Sequence, residues 1–284
     1  MNPSWPIGVF DSGVGGLTVL RALHDRLPDE TFVYLGDTAR LPYGTKSPET
    51  VVRYARQAAR ALVDRNIKLL VIACNTASAT AVEVLRAELA PLPVLGVIEP
   101  GAEAACAASV TGRIVVIATE GTVRGGAYER AIATRRPDAH VIARPCPLFV
   151  SLAEEGWVEG PVPEAVARAY LDDLAGAGLA PGGTASDCLV LGCTHFPVLT
   201  DVLRGVVGSG VAIVDSARTT ADAVDRLLAQ HRLHAPRASG LVPEARGAGR
   251  TVLLATDDRE RFARVGSRFL GLPFDSSRVD LVDL

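Results

Sequence analysis

Two cysteines of this chain stand where a strand gives way to a helix. Cys74 ends the run LLVIA at residues 69–73, which predicts a strand buried on both faces. Asn75, Thr76 and Ser78 follow it, and these residue types cap helices. Ligands bind at the carboxyl edge of open α/β sheets, and a helix N-terminus there stabilises a thiolate. Cys74 is therefore a candidate for chemistry as well as for the core.

The same pattern recurs 119 positions later. Cys193 ends the run LVLG at residues 189–192, and Thr194 and His195 follow it. Three roles are open to the two thiols: a nucleophile with His195 as its base, a redox pair, or two opposed proton-transfer bases. Their symmetric placement favours opposed bases, because a racemase needs a base on each face of a planar carbanion.

A thiol with an ordinary pKa of about 8.5 serves as acid or base near neutrality with modest help. Asp11 and His195 are candidates for that help. Asp11 is the first residue of DSGVGG, which follows a strand at residues 7–10. A nucleotide site is disfavoured here, because the glycine spacing fits neither GxGxxG nor GxxxxGK and the Asp11 carboxylate repels phosphate. The alternative is a glycine turn in which Asp11 caps the next helix.

A polar loop at residues 36–46, GDTARLPYGTK, follows the second predicted strand. Loops at strand ends often carry binding residues. Tyr43 and Gly44 can present a hydroxyl and an unhindered amide to a ligand there, or they can form an ordinary turn.

Whole-chain properties exclude several classes of protein. The chain has 284 residues, 48% of them hydrophobic, and a net charge of −3, which argues against a nucleic-acid partner. No apolar run is long enough for a membrane span or a secretion signal, so we expect a cytoplasmic protein. The five cysteines form no CxxC pair and are expected to be free thiols, with no metal site. We interpret Cys106, Cys146 and Cys188 as structural.

Strands alternate with helices along the whole chain, which predicts α/β architecture with parallel sheets. The strand at residues 113–118 ends in Thr119-Glu120-Gly121-Thr122, much as the first ends in Asp11-Ser12-Gly13. The pattern predicts two pseudo-symmetric domains with the site in the cleft between them. Glu154 and Glu155 are expected near the start of a helix. We expect a flexible connection at residues 176–187 and a mobile insertion at residues 232–249.

Several motifs resemble those of the glutamate racemases of the aspartate/glutamate racemase superfamily. They are FDSGVGGLTV (10–19), GDTARLPYGTKS (36–47), ACNTASA (73–79), GVIEPGA (96–102), IATEGT (117–122), CPLFVSLAEEG (146–156) and LGCTHFP (191–197). The resemblance implies a homodimeric, cofactor-independent enzyme that converts L-glutamate to D-glutamate for peptidoglycan. It also implies a first domain at residues 1–98 plus 213–284 and a second at residues 99–212.

The resemblance implies Cys74 and Cys193 as the acid/base pair, assisted by Asp11, His195 and a glutamate. That glutamate corresponds to Glu154, with the adjacent Glu155 as the alternative. It assigns substrate binding to a further set of residues: Asp11, Ser12, Tyr43, Gly44, Asn75, Thr76, Thr119, Thr122, Thr194 and His195.

Other functions remain open. An aspartate racemase or a related decarboxylase is the nearest alternative, although the histidine after Cys193-Thr194 and the PYGT loop favour glutamate. A binding module for an acidic metabolite is a second alternative, which the pair of opposed thiols disfavours. Pyridoxal phosphate needs a Schiff-base lysine. The only lysines are Lys46 and Lys68, and neither is well placed, so no such cofactor is expected.

Overall fold

A computed structural model describes residues 1–172, 186–236 and 251–284. The predicted connection at residues 176–187 lies outside this range apart from its last two residues. The predicted insertion at residues 232–249 lies outside it apart from its first five. No helix in the described part is both long and apolar enough to cross a membrane.

The secondary structure alternates as expected. In the described ranges the strands are β1 (Ile7–Asp11), β2 (Phe32–Gly36), β3 (Leu69–Ile72), β4 (Val94–Gly96), β5 (Arg113–Ala118), β6 (His140–Pro145), β7 (Cys188–Gly192), β8 (Ala212–Asp215), β9 (Thr251–Ala255) and β10 (Val279–Leu281). The α-helices there are α1 (Leu17–Arg26), α2 (Pro48–Val63), α3 (Asn75–Leu89), α4 (Ile98–Ala108), α5 (Glu120–Gly125), α6 (Ala127–Arg135), α7 (Leu148–Glu155), α8 (Pro161–Leu171), α9 (Thr200–Val207), α10 (Ser216–His231) and α11 (Arg259–Leu270).

The strands form two parallel sheets, which confirms the predicted fold class. The first has the order β10-β9-β2-β1-β3-β4 and the second β6-β5-β7-β8. Strands β1, β2, β3 and β7 are buried along their whole length, because helices cover both faces of each sheet. The sequence β2-β1-β3-β4 in the first sheet is repeated as β6-β5-β7-β8 in the second, so β1 corresponds to β5 and β3 to β7.

A single apolar cluster joins the two sheets. It contains Val9 and Val71 from the first sheet together with Val116 and Val190 from the second. Two further clusters fill the outer faces, one for each sheet. The inner faces of the two sheets therefore share one continuous core.

The predicted domain boundary at residue 213 falls inside β8. This strand pairs with β7, beginning at Cys188 opposite Ala212, and it ends at Asp215. The chain then returns through α10 to β9 and β10 of the first sheet. Residues 212–215 are thus paired within the second sheet.

The sequence pattern left out two short elements and misplaced two glutamates along a helix. The six-residue α5 and the edge strand β10 were not predicted. Glu154 and Glu155 lie at the end of α7, which Gly156 terminates with a φ of 81°.

Candidate active site

The loops after β1 and β3 contact the loops after β5 and β7. Asp11 Oδ1 lies 3.5 Å from Thr194 Oγ1, and Thr76 Oγ1 lies 2.9 Å from Thr119 Oγ1. In each sheet the paired strands, β1 with β3 and β5 with β7, mark the point where the strand order reverses. Open α/β sheets bind ligands at this point. The two predicted half-sites are therefore in contact at the expected edge.

Cys74 is the N-cap residue of α3, and its side chain is only 5% exposed. Its Sγ accepts the Ala77 N–H at 3.5 Å and lies 3.5 Å from Ser12 Oγ. Burial and the negative charge of Asp11 raise the pKa of Cys74 to about 12, and Cys193 adds to the shift. The helix N-terminus was expected to favour a thiolate, but burial outweighs it, so the Cys74 thiol is protonated.

Asp11 links the two cysteine loops from a fully buried position. Its Oδ2 accepts the Gly13 N–H at 3.0 Å, and its Oδ1 faces the Thr194 hydroxyl. Burial raises the pKa of Asp11, while the charge of His195 opposes that rise. The alternative role as a helix cap is wrong, because Gly16 is the N-cap of α1 and no side chain caps that helix.

Cys193 stands at the start of a chain of polar contacts. Its Sγ lies 3.8 Å from His195 Nδ1, and His195 Nε2 lies 3.2 Å from Glu154 Oε1. Arg261 donates to the other oxygen, Glu154 Oε2, at 2.9 Å. Glu155 is exposed. Of the two adjacent glutamates, Glu154 is thus the one that contacts His195.

The contacts of His195 set its charge. Burial lowers the pKa of His195, but its bonds to Cys193 and Glu154 and the charges of Cys193 and Asp11 outweigh burial and raise it to about 10. The bond to His195, with help from Arg261, lowers the pKa of Glu154. His195 is accordingly an imidazolium near neutrality, with both ring nitrogens as donors.

Three threonine hydroxyls form a triangle across the two units. Thr76 Oγ1 lies 2.9 Å from Thr119 Oγ1 and 3.2 Å from Thr122 Oγ1, and the last two are 3.1 Å apart. Gly44 lies against this triangle, since a Cβ on it would stand 2.8 Å from Thr119 Cβ. A side chain at position 44 therefore collides with the site.

Asn75 carries an unsatisfied donor. Its Oδ1 accepts the Tyr128 hydroxyl at 2.8 Å, whereas its Nδ2 is buried without a hydrogen-bond partner among the described residues. Buried polar groups are rarely left unpaired, because each costs about 1–3 kcal/mol. An unpaired amide beside Cys74 is suited to a ligand's acceptor oxygen.

Tyr43 does not offer its hydroxyl to the cleft. The hydroxyl donates to the buried carboxylate of Asp37 in a short bond, and Arg40 donates to the same oxygen. Burial, together with the charge of Asp37, raises the pKa of Tyr43 well above its ordinary value. Tyr43 thus fixes the loop that presents Gly44, and a contact between its hydroxyl and a ligand stays a prediction.

Sequence reasoning missed Asp37, Tyr128 and Arg261. Asp37 lies in the polar loop at residues 36–46, but the sequence does not indicate that its side chain is buried and bonded to Tyr43. Tyr128 and Arg261 are distant in sequence from their partners, and no local pattern marks them. Within the described ranges, no three His, Cys, Asp or Glu side chains are grouped as a metal site requires. All five cysteines are free thiols, as expected.

Comparison with known proteins is consistent with this geometry. The family model described as Asp/Glu/Hydantoin racemase matches residues 15–224. The chain belongs to this family. Among the curated members of the racemase family, the glutamate racemase of Geobacter metallireducens is 50% identical, over 93% of this chain and 92% of that protein.

Solved structures of the same racemase family share the whole fold. Glutamate racemase from Francisella tularensis, in complex with D-glutamate, superposes with a TM-score of 0.86 at 33% identity, covering 99% of this chain and 98% of that one. The Thermus thermophilus enzyme, in complex with β-chloro-D-alanine, has a TM-score of 0.84 at 43% identity, covering 100% of this chain and 99% of that one.

Proposed function

We propose that this chain interconverts L- and D-glutamate without a cofactor, and that Cys74 and Cys193 are the two opposed bases. The observation that carries the proposal is a pair of buried thiols that follow corresponding strands, β3 and β7, in two units whose strand-end loops are in contact. The glutamate racemases that share its sequence and fold support glutamate as the substrate.

The two thiols have different charged neighbours. The ring of His195 lies beside Cys193, while Cys74, next to Asp11, has a pKa of about 12 and holds its proton. The Cys193 thiolate takes the α-hydrogen as a proton, and the electron pair stays on the α-carbon. Cys74 then gives its proton to the opposite face, so one C–H bond breaks and another forms with inverted configuration.

The reverse direction requires a Cys74 thiolate. Asp11 disfavours that charge. A bound amino acid brings an ammonium group, and placing it near Asp11 and Ser12 offsets the negative charge there. Substrate binding thereby prepares Cys74 to act as a base.

The remaining residues bind the carboxylates and orient the substrate. Asn75 Nδ2 is a buried donor without a partner among the described residues. Thr76 follows Asn75 in the chain, and its hydroxyl contacts those of Thr119 and Thr122. The Thr194 hydroxyl and the Gly44 amide complete the set. Hydrogen bonds that strengthen as charge develops toward the α-carbon also stabilise the carbanion.

We propose further that the chain divides into a first domain and a second domain near residues 98 and 215. The second boundary is moved from residue 213 so that β8 stays with its sheet. A cytoplasmic homodimer that supplies D-glutamate for peptidoglycan precursors is consistent with the glutamate racemase family. No nucleic acid, membrane or metal is needed for the chemistry.

The proposal excludes pyridoxal phosphate. Lys68 Nζ is buried and donates to Glu30 Oε2 and to the Pro3 carbonyl, each at 2.5 Å. This pair stands at the amino end of β3, away from Cys74. Hydroxylamine treatment should leave activity unchanged, and loss of activity with recovery on adding the cofactor would contradict the proposal.

Circular dichroism of purified protein with L-glutamate and, separately, L-aspartate tests the substrate. We expect the signal of L-glutamate to decay to zero as the racemate forms, and that of L-aspartate to persist. Decay with aspartate alone would identify an aspartate racemase, and no decay with either would favour a binding module.

Racemisation in D₂O tests the two-base mechanism. Because the proton removed by one sulfur is not the proton returned by the other, the product enantiomer should carry deuterium from the first turnovers. Substrate recovered at low conversion should remain largely undeuterated. Chiral separation with mass spectrometry measures both, and substantial undeuterated product would contradict two opposed thiols.

A further inference from the structure

Helix α11 reaches from the first sheet's side of the molecule to the Cys193 half-site. In sequence it lies between β9 and β10 of the first sheet, yet three of its side chains contact the second unit. Arg261 donates to Glu154 Oε2 at 2.9 Å. Arg268 donates to the carbonyl oxygens of Ala153 and Glu154 at 3.2 and 3.0 Å. The ring of Phe269 packs edge-on against His195 at 5.1 Å.

We propose that Arg261 is a positioning residue that holds the Glu154 carboxylate against His195 and so sets the charge of the Cys193 half-site. The assignment rests on the proposed function for its catalytic consequence but not for its structural test. Arg261 acts through Glu154 and His195 and does not reach the cysteine itself.

The carboxylate needs this second contact because it is within reach of water. The Glu154 side chain is 15% exposed, and each oxygen has one charged partner, His195 for Oε1 and Arg261 for Oε2. Without Arg261, the Glu154 Oε2 atom would accept hydrogen bonds from water instead. The carboxylate could then rotate toward solvent, which would weaken the bond between Oε1 and His195. A charge-assisted bond at the second oxygen fixes the orientation of the first.

The groups that face His195 come from four elements. Cys193 and Thr194 lie on its own loop, Asp11 ends β1, Glu154 ends α7, and the Phe269 ring comes from α11. Of the anionic groups among them, only the carboxylate of Glu154 contacts an arginine in the described part of the chain.

Two roles for Arg261 predict opposite signs. If Arg261 contributed only its positive charge, removing it would leave Glu154 more negative toward His195 and would raise the pKa of His195. If Arg261 positions the carboxylate, removing it frees Glu154 from the ring and lowers that pKa toward the ordinary value. The sign of the shift therefore separates positioning from simple charge.

The test is an NMR titration of protein with isotope-labelled histidine, with the ring signals of His195 assigned by their loss in His195→Gln. In Arg261→Met we expect the pKa of His195 to fall by about one unit, which is tenfold in the protonation equilibrium. The matched control is Arg264→Met, because Arg264 is an exposed arginine on the same helix and makes no bond to Glu154 in the described residues. The control should leave the pKa unchanged. An unchanged or raised pKa in Arg261→Met would overturn the proposal.

A double-variant cycle locates the effect. In a Glu154→Gln background, Arg261→Met should shift the pKa of His195 no further, since the carboxylate it positions is gone. A shift as large as in the wild-type background would mean that Arg261 acts elsewhere, which contradicts the proposal. Both titrations use enzyme without substrate, so they are informative whether or not glutamate is racemised. If the wild-type enzyme racemises glutamate, the kcat of Arg261→Met should be about tenfold lower than that of the wild type.

Discussion

The two cysteines occupy corresponding strand ends but different electrostatic surroundings. Cys74 caps the fifteen-residue α3, and its hydrogen-bond partners in the described ranges are a backbone N–H and the Ser12 hydroxyl, with Asp11 as its charged neighbour. Cys193 is followed by a short 3₁₀ turn at Phe196–Leu199 and contacts the His195 ring. The backbone symmetry thus places two sulfurs equivalently, while the side chains around them place a carboxylate near one and a histidine ring beside the other.

This difference shows how one fold provides both an acid and a base from the same residue type. Burial and the charge of Asp11 keep the Cys74 thiol protonated, although the hydrogen bonds from Ala77 and Ser12 oppose this. Cys193 instead lies beside the His195 ring, which Glu154 helps to keep charged. Groups with environments that push their pKa values apart are typical of acid–base sites.

The largest expected effect comes from removing either sulfur. Cys74→Ala and Cys193→Ala should each lower kcat for glutamate racemisation by about 10⁴-fold, the upper end for loss of an acid–base group. Cys106→Ala is the control, since this thiol lies outside the cleft and should retain activity. Racemisation measured by circular dichroism checks this, and near-normal activity in either site variant would show that its sulfur is not a base.

Removing a supporting group should cost less. Asp11→Asn and His195→Asn should each lower kcat by about 10²-fold, because the thiol that they tune remains. Glu154→Gln should reduce kcat by a smaller factor, whereas Glu155→Gln, in an exposed residue, should have no effect. Steady-state kinetics of the four variants gives the order, and equal losses for the two glutamates would contradict the contact between Glu154 and His195.

Gly15→Ala should disturb the Cys193 side more than the Cys74 side. A Cβ at position 15 would stand 2.5 Å from both His195 Nδ1 and Thr194 Oγ1. Overpacking of this kind costs about 1–3 kcal/mol of stability, and the displaced ring should lower kcat about tenfold. Gly205→Ala in α9 is the matched control, because nothing lies within 4 Å of that Cβ position. Thermal unfolding and kinetics should show a loss in the first variant only.

The smallest effect concerns stability and pH. The pKa of His195 rises from an ordinary value of about 6.5 to about 10 in the folded protein, so its charged contacts stabilise the fold fully below pH about 6.5. That contribution is lost as the pH rises toward 10. The difference in unfolding free energy between wild type and His195→Asn should therefore shrink over this interval by at least about 1.4 kcal/mol, the equivalent of one pKa unit. Urea unfolding at a series of pH values measures it, and a constant difference would contradict the raised pKa.

The strand ends could be predicted from the sequence because their signal is local. Buried parallel strands appear as unbroken apolar runs. The apolar pattern alone therefore places Asp11, Cys74 and Cys193 at the carboxyl ends of their strands. Short or edge elements such as α5 and β10 carry too few residues for a periodic pattern. The direction of a side chain is also not local information, which is why Tyr43 was expected to face the ligand when it bonds to Asp37.

The choice between Glu154 and Glu155 and the role of Arg261 depended on tertiary structure. Adjacent helical residues point about 100° apart, so only the placement of α7 decides which glutamate meets His195. Arg261 lies 107 positions from Glu154 in the chain. No spacing rule within a single sequence reaches that distance, because helix and strand periods relate only residues within a few turns of each other.

The threonine triangle has a consequence for which ligands the site accepts. Each of Thr76, Thr119 and Thr122 has one hydroxyl proton, and three mutually bonded hydroxyls can point their protons around a closed ring. Every donor is then in use before any ligand arrives. A carboxylate must reverse one or more of these O–H directions and break the ring, at about 0.5–1.5 kcal/mol for each bond given up. Only a ligand that accepts several hydrogen bonds at once recovers that cost, so the ring favours a carboxylate over a solute with a single acceptor.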